Sequence, residues 1–171
     1  MGTLRTGAAL CALLLAAAPA IAGDMGKPIT GTARVLDGDT IEITGQRIRL
    51  AAIDAPENDQ TCGRPSRVSF LGEIYECGQD AAALLAELMR GQTVICIPQD
   101  QDRYNRTIAV CGTPMTVDLG GAMVRRGWAV PYLKYGGSIY LEQERQAKAE
   151  KLGMHSGRFT MPEQWRRDNK R

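Results

Sequence analysis

The chain has 171 residues, 44% of them apolar, with 21 Lys and Arg against 19 Asp and Glu. That length suits one domain with a real core, and the near balance of charge excludes a strongly basic surface as the basis of polyanion binding. The single histidine, His155, excludes paired-histidine and serine–histidine chemistry, and no phosphate-cradling glycine loop is present.

At the N-terminus, Arg5 precedes an apolar run from Ala8 to Ala18 and a small-x-small site, Ala20-Ile21-Ala22. This pattern reads as a secretory signal peptide, residues 1–22, cut after Ala22. The run is too short and alanine-rich for a good membrane span, and Cys11 lies inside it rather than at its end, against a lipoprotein anchor. The mature chain, residues 23–171, is therefore expected to be periplasmic or secreted, monomeric and without a membrane anchor. With Arg5 gone it has 20 basic against 19 acidic side chains, from the totals of 21 and 19.

From Ile29 to Ile53 the pattern is that of strands. Ile41-Glu42-Ile43 and Arg47-Ile48-Arg49-Leu50 alternate apolar and polar residues around Thr44-Gly45-Gln46, a hairpin signal. Residues 57–77 are polar and irregular and read as a long loop. Asp80 to Arg90 is predicted helical, with an acidic start, a basic end and Gly91 as the stop. Strands are predicted near 92–98 and 106–112, then a short helix from Asp118 to Arg126. Ser138 is expected to cap a last, charged helix to about Leu152, with Glu144 and Lys148 paired at i,i+4. The locally basic tail from Arg158 to Arg171 reads for the most part as a solvated terminus. The predicted fold is α+β: a five-stranded oligonucleotide/oligosaccharide-binding (OB-fold) β-barrel with three α-helices.

Four cysteines remain in the mature chain: Cys62, Cys77, Cys96 and Cys111. An even number in an exported protein favours two disulfides. In a hairpin centred near Arg103-Tyr104, Cys96 and Cys111 fall opposite each other, within disulfide reach. Of the three connectivities, Cys62–Cys77 with Cys96–Cys111 is preferred, and the first pair would tie down the 57–77 loop. A zinc site is disfavoured because no pair has the usual short spacing.

Acidic and basic residues sit at the predicted strand ends. Asp39 follows a glycine at a strand entry, and Asp54 ends the strand that begins near Arg47. Together they offer oxygen donors to a hard divalent cation. Taken alone, Asp37-Gly38-Asp39-Thr40 reads as a turn. In Asp54-Ala55-Pro56-Glu57 the proline fixes the offset of Glu57, which suits a general base or simply a strand-exit turn. Arg49 is placed on the same strand as Asp54, one position out of phase in the pleat. Arg106 leaves a turn in which Asn105 tolerates positive φ. Both guanidinium forks suit a phosphate; the plainer readings are a hairpin surface charge for Arg49 and a pair with Asp102 for Arg106. Trp128, Tyr132 and Tyr135 follow the Gly127 turn. Exposed rings there suit base stacking, whereas Trp128 is assigned to core packing.

The spaced set Asp39, Arg49, Asp54-x-Pro-Glu57 and Asp102-x-Tyr104-x-Arg106 resembles the staphylococcal nuclease (thermonuclease-like) family, from about Gly31 to Leu152. The resemblance implies a Ca²⁺-dependent phosphodiesterase that cleaves DNA and RNA and leaves 3′-phosphate ends. It implies that the carboxylates of Asp39 and Asp54 and the carbonyl of Ala55 bind calcium. Glu57 would then act as general base, Arg49 and Arg106 would clamp the scissile phosphate, and Tyr135, with Tyr132, would flank the nucleotide. Departures are Ala55 where the family often has threonine, Asn105 for glycine, and Met154-His155 for an apolar–tryptophan pair. The rival class is a catalytically inactive barrel that binds single-stranded nucleic acid or a protein partner, which does not require all five polar residues. A structural calcium module leaves both arginines unexplained.

Overall fold

The computed structural model describes residues 26–66 and 72–169. The signal peptide expected at 1–22, with Cys11, lies outside the described residues. Ten strands and four α-helices lie along them: β1 (Ile29–Gly31), β2 (Ala33–Asp37), β3 (Thr40–Ile43), β4 (Gln46–Leu50), β5 (Ile53–Asp54), β6 (Cys62–Arg64) and β7 (Glu73–Tyr75) precede α1 (Cys77–Met89). Then come β8 (Val94–Gln101), β9 (Thr107–Gly112), α2 (Leu119–Arg125), β10 (Val130–Pro131), α3 (Leu141–Ala149) and α4 (Pro162–Asp168).

The main sheet has six strands in the order β1-β8-β9-β4-β3-β2. All its pairings are antiparallel except β4 with β9. The α+β class is as expected, but the main sheet is six-stranded and not closed, with β1 and β2 as its outer members, so the expected count of five barrel strands is not met. The reason lies at Gly31 and Thr32, where one expected strand divides in two. β1 then pairs with β8, while β2 pairs with β3. The sheet still curls on itself, because Gly31 lies so close to Ile43 that a Cβ would come within 2.8 Å of its Cγ2. Side-chain contact replaces the hydrogen bonds that would close a barrel.

The β3–β4 hairpin forms as read. Thr44 and Gly45 both take positive φ, 50° and 84°, the twist that tight hairpins favour. Ile41, Ile43, Ile48 and Leu50 point inward from it, against Leu85 of α1, Val94 of β8 and Met123 of α2. Cys96 and Cys111 are register partners across β8 and β9 and are joined by a disulfide. Among the described residues between 57 and 77, β6 and β7 pair, and Cys62 is bonded to Cys77, where a loop was expected.

Three further expectations change. Arg49 and Asp54 are not on one strand, because β4 ends at Leu50 and Ala52 takes a positive φ of 65°. The chain turns there, and β5 pairs instead with β10, Val130 facing Asp54. Ser138 does not cap the last predicted helix; it lies within a 3₁₀ helix, Gly137–Tyr140, which leads into α3. The Glu144–Lys148 pair on α3 is present at 2.9 Å. Finally, the tail carries a fourth helix, α4, with Pro162 at its start, where proline's missing N–H loses nothing.

The start of α1 is fixed by close packing. It begins three residues before the expected Asp80, at the bridged Cys77, and a Cβ on Gly78 would collide with the carbonyl oxygen of Glu57. In helix propensity, alanine gains about 1 kcal/mol over glycine, while overpacking against backbone costs about 1–3 kcal/mol. Because neither backbone can yield cheaply, Gly78→Ala is expected to lower unfolding stability in urea despite its better propensity. Replacing Cys62 and Cys77 by alanine opens a loop of 15 residues in sequence separation. That change is expected to remove about 3 kcal/mol of unfolding free energy in the same measurement.

Candidate active site

The site forms where β3 begins and where β4 and β5 end. Gly38 allows the approach: a Cβ there would lie 2.8 Å from the Cβ of Ala55 and 2.9 Å from that of Ala81. Asp39 and Asp54 are both buried, 3% and 2% exposed. Buried charges require partners, and each aspartate has several.

Arg49 joins the two. Its Nη1 donates to Asp39 Oδ1 at 2.7 Å, and its Nη2 donates to Asp54 Oδ1 at 3.0 Å and to the carbonyl of Ile53 at 3.3 Å. The N–H of Ala55 donates to Asp39 Oδ2 at 3.2 Å, and the hydroxyl of Thr40 to Asp39 Oδ1 at 3.0 Å. Burial works against the charge on Arg49, but Asp39 and then Asp54 outweigh it and hold its pKa above the ordinary value. Asp37 builds the turn, accepting the N–H of Asp39 at 3.0 Å. Burial, and next the charge of Asp39, push its carboxyl up to about 7.

A residue that sequence reasoning left in solvent completes the cluster. Arg166 of α4 places Nη1 2.9 Å from Asp54 Oδ1 and 2.8 Å from Glu57 Oε1, with Nη2 3.0 Å from Asp54 Oδ2. Burial opposes its charge, yet the hydrogen bonds it donates to Asp54 and Glu57 hold its pKa well above the usual arginine range. The expectation of a merely solvated tail is thus corrected for this residue. It is 112 positions from Asp54 in sequence, and the only local signal was Pro162 opening a short helix.

Its route to the site is built from the Cys62–Cys77 region. Arg158 and Gly63 exchange backbone hydrogen bonds of 2.8 Å each way. The fully buried Gln60 donates to the carbonyl of Thr160 at 2.7 Å, and its N–H donates to the carbonyl of Glu57 at 2.8 Å. Met154 and Phe159 pack with the bridged cysteines and Val130 in a second apolar cluster. Glu57 and Arg166 therefore hang from one platform.

Arg106 does not touch this cluster. Its Nε donates to Asp102 Oδ2 at 2.7 Å, the pairing that was its plainer reading. Asp102 also accepts the N–H groups of Tyr104 and Arg106, and Asn105 takes a φ of 61°. The next residue, Thr107, faces Ile48 across the parallel β4–β9 pair, so Arg106 enters the sheet beside the strand that carries Arg49. Tyr132 and Tyr135 meet edge to face with ring centres 4.7 Å apart. The N–H of Tyr132 donates to the carbonyl of Ala52 at 2.9 Å, which fixes this pair beside the β4–β5 turn. Tyr135 is 55% exposed. Trp128 packs against both apolar clusters, as read, and His155 packs edge-on against Phe159.

The donor set consists of hard oxygens, which suits calcium in kind, and a guanidinium already stands between Asp54 and Glu57 as a cation. As arranged, no group of three or more acidic, histidine or cysteine side chains among the described residues is poised to hold a metal ion. No helix among them is long and apolar enough to cross a membrane.

The staphylococcal nuclease homologue family profile matches residues 47–157. The chain is 33% identical over 153 residues to the succinoglycan biosynthesis protein ExoI of Rhizobium meliloti (strain 1021), covering 89% of this chain and 75% of that protein. It is 32% identical over 187 residues to the micrococcal nuclease of Shigella flexneri, covering 99% and 95% respectively. An endonuclease of Escherichia coli O157:H7, itself uncharacterized, is 33% identical over 134 residues, covering 75% of this chain and 78% of its own. The buried carboxylate–arginine cluster thus lies in a chain that belongs to the staphylococcal nuclease family.

Proposed function

We propose that this protein is a secreted or periplasmic, calcium-dependent nuclease that hydrolyses phosphodiesters of DNA, RNA or both, leaving 3′-phosphate ends. The observation that carries the reading is the cluster of Asp39, Asp54 and Glu57 interleaved with Arg49, inside a fold shared with nuclease-named relatives. A non-catalytic binding barrel gives no reason to bury two carboxylates at such a desolvation cost. The two disulfides support an oxidising compartment.

Asp39, Asp54 and the carbonyl of Ala55 are the groups assigned to hold the ion. Calcium, when bound there, supplies positive charge next to the reacting phosphate. Glu57 takes a proton from the attacking water as that oxygen adds to phosphorus; the P–O5′ bond then breaks, leaving the phosphate on the 3′ side, and the departing 5′-oxygen takes up a proton from solvent. Arg49 and Arg106 donate to the phosphate oxygens, whose charge grows in the pentacovalent state. A guanidinium carries five N–H donors, and Asp39, Ile53 and Asp54 account for three on Arg49. Asp102 uses only Nε of Arg106, so that pair orients the fork without consuming its end. Tyr135 and Tyr132 stack against the substrate base or sugar, and the enzyme acts as a monomer.

Residues 23–171, oxidised and folded, are expected to degrade denatured DNA and RNA oligonucleotides with Ca²⁺ and to stop when the ion is chelated. Glu57→Gln is expected to slow cleavage by about 10²–10⁴-fold. Arg106→Ala should slow it by about 10²–10³-fold. Failure of the folded protein to cut either polymer overturns the nuclease reading. Unchanged rates in both variants would instead overturn the assignment of Glu57 and Arg106.

A further inference from the structure

Arg166 covers the carboxylate on which the calcium assignment depends. Both oxygens of Asp54 accept from its fork, and Oδ1 also accepts from Arg49. Glu57 is engaged by the same Nη1. An ion cannot reach Asp54 from the side Arg166 occupies while that guanidinium stays there. The charges agree: Asp39, Asp54 and Glu57 against Arg49 alone leave two negative charges, the complement of a divalent cation. With Arg166 seated, only one remains.

The helix that carries Arg166 is lightly held. α4 has seven residues, and Pro162 is its only buried one. The firm anchors, Arg158 on Gly63 and Thr160 on Gln60, precede it in the chain. Arg166 itself is about a third exposed, 31% of its side chain. Because those anchors lie before it, α4 can swing away while the Cys62–Cys77 platform stays in place, exposing Pro162 and the half-buried Trp165.

We infer that Arg166 is a tethered competitor for the cation at Asp54 and Glu57, and that it sets the cation concentration at which the site loads. The inference rests on the proposed calcium site but not on cleavage. A ligand that binds only the unlatched state has its apparent affinity reduced by the fraction of molecules in that state. With the latched form at least about ten times as populated, Arg166→Gln should bind Ca²⁺ at least about tenfold more tightly than the parent.

The test is calorimetric titration of the oxidised protein with Ca²⁺ alone, comparing the parent, Arg166→Gln and, as a control on the same helix, Arg167→Gln. Tighter binding is expected only for Arg166→Gln. In the parent, Ca²⁺ should raise hydrogen exchange at the amides of 163–168 without raising it at Gly63 or Arg158. This second measurement needs no variant, so it decides the matter even if Arg166→Gln does not fold. Equal or weaker Ca²⁺ binding by folded Arg166→Gln overturns the inference, as does α4 exchange that Ca²⁺ leaves unchanged. Absence of Ca²⁺ binding in both proteins overturns it together with the calcium assignment. Tighter binding and α4 release without any cleavage would uphold the competitor and overturn the nuclease reading alone.

Discussion

Asp54 is a carboxylate almost wholly removed from water and held between two guanidiniums, Arg49 from one side and Arg166 from the other. Burying an ion costs several kcal/mol even after relaxation, and only well-formed hydrogen bonds offset that. The surrounding backbone is arranged to supply them. The Ala52 turn lets β5 leave the sheet and pair with β10. The absence of a side chain at Gly38 lets the Asp39 turn close on Ala55. Arg49 can then span both aspartates from an adjacent strand rather than from their own. Removing Arg49 would leave Asp39 buried without a cationic partner, whereas Asp54 would still have Arg166.

The second apolar cluster gives the site its far wall. The Cys62–Cys77 bridge joins the stretch after Glu57 to the start of α1, and the chain beyond α3 packs on that bridge through Met154 and Phe159. A disulfide in a small domain is usually considered for its effect on stability. Here it also fixes where Glu57 stands and where the C-terminal segment can dock. Gln60 expresses this coupling in one side chain, bonded to the Glu57 backbone on one side and to Thr160 on the other. The basic tail is thereby part of the site rather than an appendage to the domain.

Much of this was legible in the residues. The Cys96–Cys111 pairing followed from hairpin symmetry, because register partners in an antiparallel pair are fixed once the turn is placed. The Asp102–Arg106 pair and the positive φ of Asn105 followed from local turn chemistry. The convergence of Asp39, Arg49, Asp54 and Glu57 followed from spaced motifs within a short stretch of chain. Less local features escaped. A break at Gly31–Thr32 changed the strand count, and the turn at Ala51–Ala52 gave Asp54 a different strand from Arg49, since alanine carries no turn signal.

By itself the sequence determined which side chains carry charge and where the hairpin turns fall, because these depend on neighbours a few residues apart; it favoured the two cysteine pairs without fixing them. Only the tertiary structure decided that Arg166 rather than solvent faces Asp54, and that Arg106 stands apart from the cluster paired with Asp102. The physical reason is the range of the interaction. An ion pair across 112 residues requires the whole chain to be packed before its partners meet, and nothing in the local pattern around Arg166 distinguishes it from Arg167 beside it.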